Sequence, residues 1–286
     1  MSARTIRKQY AAISDDIGDL RTQRPLPNDE VDQIDPFLFL NHHGPQVYPP
    51  GNRGLPFGPH PHRGFETVTF ILQGSLMHRD SGGHESVIRA GGVQWMTAGR
   101  GLEHAELSPK EFLQQGGPLE ILQLWVNLPA RLKMTEPRYI GLQKEEIPSF
   151  QVDDGRVRVN LISGVWDGHT GPIDSPTDIQ MMSIAMKKGG RISFGIAGER
   201  NIFLYVVHGE VRTGGQAVAA FHLVDLNNDG DRLDLDAVTD SVVLLGHALP
   251  FSEPVVAHGP FVMNSREEIV EAIRDYQAGR FGGTAL

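Results

Sequence analysis

The sequence predicts an all-β protein built from two sandwich-like domains, and three observations predict it. Short stretches rich in Val, Ile, Thr and Phe recur along most of the chain, turn-forming residues separate them about every ten residues, and helical periodicity is scarce before the C-terminus. The chain has 286 residues, and at roughly 100–200 residues per domain two domains of similar size are expected.

In the first half, Glu66–Leu72 ends at Gln73-Gly74 and reads as a strand running into a turn. Strands are also expected at Ser75–Arg79, Ser86–Ile88, Val93–Met96 and Ile121–Leu128, with turns at Ser81-Gly82-Gly83 and Ala90-Gly91-Gly92. The second half repeats the style at Val157–Ser163, Asp178–Met186, Ile202–Val207, Ala217–Phe221 and Val242–Leu245. Between them, Pro129–Pro148 is polar and carries Pro129, Pro137 and Pro148, which places a boundary near residues 135–145. The domains are therefore read as 1–138 and 139–286. One helix closes the second domain. Ser265 and Glu268 form a capping-box pattern, Ile269, Ala272, Ile273 and Tyr276 make an apolar stripe, and Gly279 offers a stop.

Composition removes several function classes. The net charge is −9, which disfavours direct contact with nucleic acid. The densest basic cluster, Arg4, Arg7 and Lys8, reads as a solvated edge around Ile6 and Tyr10. No secretory-type or membrane-spanning apolar run is present, so a cytoplasmic protein without a membrane partner is expected. There is no cysteine, which excludes disulfides, thiolate nucleophiles, Fe–S clusters and Cys-based zinc sites. Gly-x-Ser-x-Gly and Walker-type motifs are missing too, so hydrolase readings do poorly. Any metal must be held by nitrogen and oxygen, and twelve histidines supply the nitrogen.

Two phrases carry that chemistry. In Gly58–Gly74, GPHPHRGFETVTFILQG, alternate side chains of an extended chain share a face, so His60 and His62 point the same way. About forty residues on, GRGLEHAEL supplies His104 and Glu106 with the same spacing. Two antiparallel strands presenting these dyads to one interior can close three imidazoles and a carboxylate around one ion. Such ligands suit Fe, Mn, Ni, Cu or Zn and leave positions open.

HPHRGFETV and WMTAGRGLEHAE resemble the two metal-binding motifs of the cupin superfamily in the form found in pirins, and LQLWVNLP, HGPFVMN and FLFLNHHGP extend the resemblance over most of the chain. It implies a bicupin, two jelly-roll-like sandwiches, with a divalent metal, iron foremost, in the first. By position the ligands fall on His60, His62, His104 and Glu106. Glu66, where a generic cupin takes its carboxylate, is placed just behind them. If Gly209 matches Gly74 and Gly230 matches Gly101, then Gly195, Ala197, Asn201 and Leu233 stand where His60, His62, Glu66 and His104 stand, and the second domain is read as metal-free.

Other residues get plainer readings. Phe57, Phe65, Trp95 and Met96 are candidates for a pocket wall, and Gln123 for a donor that orients Glu106 or a bound water. His78 and His84 flank the Gly82-Gly83 turn and read as exposed hairpin residues. His42 and His43 are adjacent, so at most one approaches the site. His169, His208, His222, His247 and His258 lie in the half without a motif.

Two functions follow from the resemblance. One is a quercetin 2,3-dioxygenase type of enzyme, acting on a flavonol-like or catecholic substrate with O2, with Glu106 as the base. The alternative is a redox-sensing regulator acting through a protein partner, either in transcriptional co-regulation or on a metabolic enzyme.

Overall fold

A computed structural model describes residues 2–282 of the chain. Among these residues two α-helices occur, a short one at Lys110–Gln115 and the C-terminal one at Arg266–Gln277. Nearly everything else that is regular is strand. Among the described residues no helix is long and apolar enough to cross a membrane.

The chain forms two compact units that interleave in sequence. One holds Ser14–Gln23, Leu38–Glu145 and the chain from Phe251 onward; the other holds the chain up to Ile13, Arg24–Phe37 and Glu146–Pro250. This differs from a single cut at 138/139. Arg138–Leu142 still pairs with Val93–Thr97, so the crossing falls at Glu145–Glu146. The terminal helix belongs to the unit that carries the histidine motifs. Strand Ile6–Ala11 pairs instead with His222–Leu226 in the other unit. Such exchanges of termini depend on non-local pairing, which local composition does not record.

Each unit is a sandwich of a larger and a smaller sheet. In the first, the smaller sheet runs Phe57–His62, Leu102–Leu107, Ser75–Asp80, Glu85–Arg89, and the larger one holds Phe65–Gln73 between Val93–Thr97 and Gly117–Asn127. In the second, the smaller sheet runs Arg191–Gly195, Arg232–Ala237, Glu210–Thr213, Gln216–Ala219, and Asn201–His208 lies between His222–Leu226 and Ser241–Ala248 in the larger. Strand RLDLDA alternates half-buried polar and buried apolar residues, as a sheet with one wet face requires. Its leucines join Val157, Ile184, Phe194, Leu204 and Val243 in one core between the sheets.

Gly74 and Gly209 make the same turn in the two units, with φ of +83° and +76°. A Cβ there would come within 2.6 Å of the Pro118 carbonyl oxygen or 2.2 Å of that of Asp240. The φ range and the crowding both call for glycine.

The basic cluster near the N-terminus is not uniformly solvated. Arg4 is buried, and its guanidinium donates to the carbonyls of Gly230, Arg200, Ile196 and Ala197 and to Asn228. Pairing of the first strand carries it in, and five acceptors replace its water. Arg7 and Lys8 do stay at the surface, against Asp225 and Glu30.

Helix Arg266–Gln277 forms as its sequence implies. Ser265 accepts from the Glu268 amide, and the Glu268 carboxylate closes the capping box. Ile269 and Ala272 bury against Phe261, Met263 and Phe281.

Candidate metal centre

Strands Phe57–His62 and Leu102–Leu107 are antiparallel neighbours, with His104 opposite His60 and Leu102 opposite His62. Paired residues and residues two apart share a face, so the three histidines project together. Just beyond His62 the chain turns at Gly64, whose φ is +89° and where a Cβ would lie 2.0 Å from the Val262 carbonyl oxygen. That close approach lets the segment before the terminal helix dock on the motif. The amide of Val262 donates to the carbonyl of Arg63, and the Lys133 ammonium binds the carbonyls of Gly64 and Val262 and the side chain of Asn127. Burial lowers the Lys133 pKa to about 8.

His60, His62 and His104 each offer a ligand nitrogen, and these atoms lie within 4.8 Å of one another. Their ring centroids are 4.4–5.0 Å apart. The outer nitrogens have acceptors. Nδ1 of His60 is 2.7 Å from the Gly58 carbonyl oxygen, and Nδ1 of His62 is 3.4 Å from that of Pro260. Those bonds leave each Nε2 as the lone-pair nitrogen. Nε2 of His104 is buried with no hydrogen-bond partner. Burial and the neighbouring His60 push His62 down to about 3, and burial among His62, His60 and His78 holds His104 well below the usual range. Both are neutral at pH 7, the state a metal ligand needs. An orphaned buried nitrogen among convergent imidazoles is a donor set that fits a transition-metal ion.

Glu106 is buried on the same strand but is not among the three converging ligands. Its carboxylate accepts from Thr69 at 3.0 Å and from the Gln123 amide. Gln123, opposite Thr69 in the larger sheet, is thus on the face that meets Glu106. Phe65 packs its ring 5.0 Å from that of His62, and Met96 joins Ala98, Leu102 and Tyr139. Phe57 lies opposite Glu106 and has its ring 5.3 Å from that of His43.

Two expected pocket residues sit elsewhere. Glu66 and Trp95 occupy the other face of the larger sheet, because Thr67 and Thr69 take the face toward Trp125 and Gln123. There the Glu66 carboxylate accepts from Trp95 Nε1 at 2.9 Å and from Thr97 at 2.7 Å. Trp125 is the wall residue that sequence reading did not single out. It packs on Phe65 and Phe39 with centroids 4.4 and 4.6 Å away, and on His62 at 5.4 Å.

His78 is not an exposed hairpin residue. It is 1% exposed, with Nε2 2.9 Å from Asp80 and Nδ1 3.4 Å from Nδ1 of His104. The turn lies beyond the strand, so His78 keeps the inward parity of the sheet while His84 stays at the rim. His78-x-Asp80 is a third pair two residues apart, beside His60-x-His62 and His104-x-Glu106, and that shared spacing was the available signal. His42 and His43 do face opposite ways, His42 onto Glu120 and His43 onto Thr22.

The second sandwich can be matched from its ladders. Leu107 lies opposite Met77, three residues after Gly74; Asp236 lies opposite Arg212, three after Gly209. Leu233 therefore matches His104, and Phe194, opposite Leu233, matches His60. Ile196 then matches His62. Counting along the sequence instead reached Gly195 and Ala197, one residue off, because the chain from Ile196 to Asn201 is one residue longer than that from His62 to Glu66. Arg200 and His247 stand where Phe65 and Trp125 stand, joined by an Arg200 Nε to His247 Nδ1 bond of 2.7 Å.

Comparison with known proteins agrees with this architecture. The family pattern Pirin matches residues 19–126, and the pattern described as Pirin C-terminal cupin domain matches residues 181–282. A pirin-like protein of Caulobacter vibrioides is 42% identical over 264 residues, 92% of this chain and 93% of its own. A crystal structure named quercetin 2,3-dioxygenase, from Acinetobacter baumannii, superposes with a TM-score of 0.92 at 31% identity, covering 99% of each chain. The bacterial pirin YhhW of Escherichia coli, solved in complex with nickel(II), shares the fold with a TM-score of 0.67 at 23% identity, over 87% of this chain and 99% of its own. Two cupin sandwiches, the histidine cluster in the first of them and these matches make the chain a member of the pirin family.

Proposed function

We propose that this protein is a metal-dependent dioxygenase of the quercetin 2,3-dioxygenase type, opening the ring of a flavonol-like substrate with O2. In this reading His60, His62, His104 and Glu106 hold one divalent transition-metal ion, with Fe(II) the favoured species. The observation that carries it is the convergence of three imidazoles beside a wall of flat rings, Phe39, Phe65 and Trp125. The name of the Acinetobacter structure and the nickel ion of YhhW support it.

A metal ion held there would supply a Lewis acid and the one-electron chemistry that O2 requires. The chain's own groups do the rest. Glu106 is the base for the flavonol hydroxyl, a carboxylate oxygen taking the phenolic proton. Gln123 and Thr69 hold that carboxylate in place, one on each oxygen. Trp125 and Phe39 offer a planar apolar surface to the substrate rings and keep water from the reacting face. His60, half-buried while His62 and His104 are buried, marks the open side.

The test is oxygen uptake with quercetin and related catechols, using protein loaded in turn with Fe(II), Mn(II), Ni(II) and Cu(II). Turnover with release of carbon monoxide is expected from at least one form. The solvent contact of His60 also favours a second reading, in which a partner protein senses the oxidation state of the ion. That reading takes over if no loaded form consumes oxygen and the Fe(II) and Fe(III) proteins capture different partners.

A further inference from the structure

The strands of the smaller sheet place a line of polar groups behind His104. Asp80 lies directly opposite His104 in the ladder, and His78 shares its strand and face. The Asp80 carboxylate accepts from the backbone amide of His84 at 3.1 Å and from its ring, and it is 2.9 Å from Nε2 of His78. A carboxylate offers only acceptors, so Nε2 of His78 carries its proton toward Asp80. In the neutral ring the other nitrogen of His78 is a bare lone pair, and it lies 3.4 Å from Nδ1 of His104. Two ring nitrogens facing each other need one proton between them, and His104 must provide it. Its remaining nitrogen, Nε2, is left as the lone pair. That is the buried atom without a partner.

This line of polar groups is buried. His78 and Asp80 are 1% and 4% exposed, and His78 is clamped by Tyr139, whose ring stacks on it at 3.9 Å and 7° while its hydroxyl meets Ser86 at 2.5 Å. The other two histidines of the cluster take backbone carbonyls as their outer acceptors. His104 alone rests on a side-chain relay that ends in a charge.

We propose that Asp80 and His78 are positioning residues, a proton-ordered relay that fixes the tautomer of His104 and strengthens its Nε2 as a metal ligand. This rests on the metal reading of the cluster. Substitution of such outer partners costs about 10–100-fold in metal affinity.

The experiment compares wild type with Asp80→Asn by two readouts. The first is the equilibrium affinity for Ni(II) and Zn(II), measured by competition with a chelator. The second is the tautomer of His104, read from its ring nitrogens by NMR in the zinc-loaded and metal-free proteins. The introduced carboxamide can turn its N–H₂ toward His78, which would reverse both tautomers in the line. Affinity should fall at least about 10-fold, and the His104 Nδ1–H signal of the metal-free protein should be lost or exchange-broadened, with thermal unfolding still cooperative. In a His78→Phe background, which keeps the stack on Tyr139, the same Asp80→Asn change should have no further effect on affinity. Affinities within twofold of wild type and an unchanged tautomer overturn the relay, as does a full Asp80→Asn effect in the absence of His78. Should His78→Phe fail to fold, the tautomer readout on Asp80→Asn decides alone. Wild-type protein that binds no metal refutes the metal reading, while the tautomer of metal-free His104 still tests the relay.

Discussion

Leu233 holds in the second sandwich the ladder position that His104 holds in the first. Phe194 and Ile196 likewise replace His60 and His62, and all three side chains are buried in the apolar core of their unit. One fold thus carries a polar throat in one copy and a hydrocarbon throat in the other.

The expected consequence is one tightly held transition-metal ion per chain. Elemental analysis of protein purified without added metal should approach that ratio, and two ions per chain would show that the second sandwich binds metal elsewhere. His62→Ala removes one of three imidazoles and should weaken binding by more than about 100-fold, beyond the loss typical of an outer partner. Unchanged occupancy in that variant would take His62 out of the ligand set.

Glu106→Gln removes the base while keeping a side chain that can still meet Thr69. If Glu106 takes the substrate proton, kcat should drop by about 10²–10⁴-fold, the usual contribution of a positioned base, with KM changing much less. Equal losses in both would mean that Glu106 acts only by holding the metal or the substrate and takes no proton. Gln123→Ala should show a smaller loss of kcat, because Thr69 still anchors one oxygen.

Much of the site was legible in the sequence because its spacing follows strand geometry. His60-x-His62 and His104-x-Glu106 need only alternation to be placed on one face, and the capping box at Ser265 needs only local chemistry. What alternation cannot show is which neighbour lies across the sheet. The cupin resemblance sets Glu66 just behind the ligands, yet the turn at Gly64 carries it to the face of the larger sheet that holds Trp95 and Thr97. His78 reads as a turn residue from its sequence neighbours, whereas the strand that carries it points it inward. The exchanged termini, with Arg4 buried at one end and Asp275 at the other, depend on pairings more than 190 residues apart in sequence.

Asp275 illustrates that long reach. It pairs with Arg63 at 2.9 Å, next to His62 in sequence, and with Arg280. Arg63 also donates to the Arg100 carbonyl and lies 4.6 Å from the centre of the Phe281 ring. Asp275→Ala leaves the buried Arg63 guanidinium without its counter-charge, a change that costs about 3 kcal/mol. A lower thermal midpoint is expected, together with weaker metal binding, since Pro260 supplies the carbonyl that orients His62. Calorimetry and metal titration check the two effects. Loss of stability with unchanged affinity would show that the helix only braces the unit.

Acid should loosen the second sandwich through His247, whatever becomes of the metal. This residue is buried, and its Nδ1 accepts from Arg200, whose other nitrogens bind Asp178 and the His247 carbonyl. Burial, and then the nearby Arg200 and Arg4 charges, lower its pKa to about 3. Folding therefore favours the neutral ring. An unfolded histidine titrates near ~6.5, so the unfolded chain takes up a proton between that value and about 3 while the folded chain does not. The stabilisation is complete above about pH 6.5 and is lost as pH falls toward 3, by about 3 kcal/mol at pH 4. Denaturant unfolding of metal-free wild type and His247→Gln, at pH 7 and pH 4, isolates this contribution, because the effects of His62 and His104 are common to both proteins. Wild type should lose more stability than the variant over that interval by about 3 kcal/mol. Equal losses would mean that His247 is already able to take up a proton in the folded state.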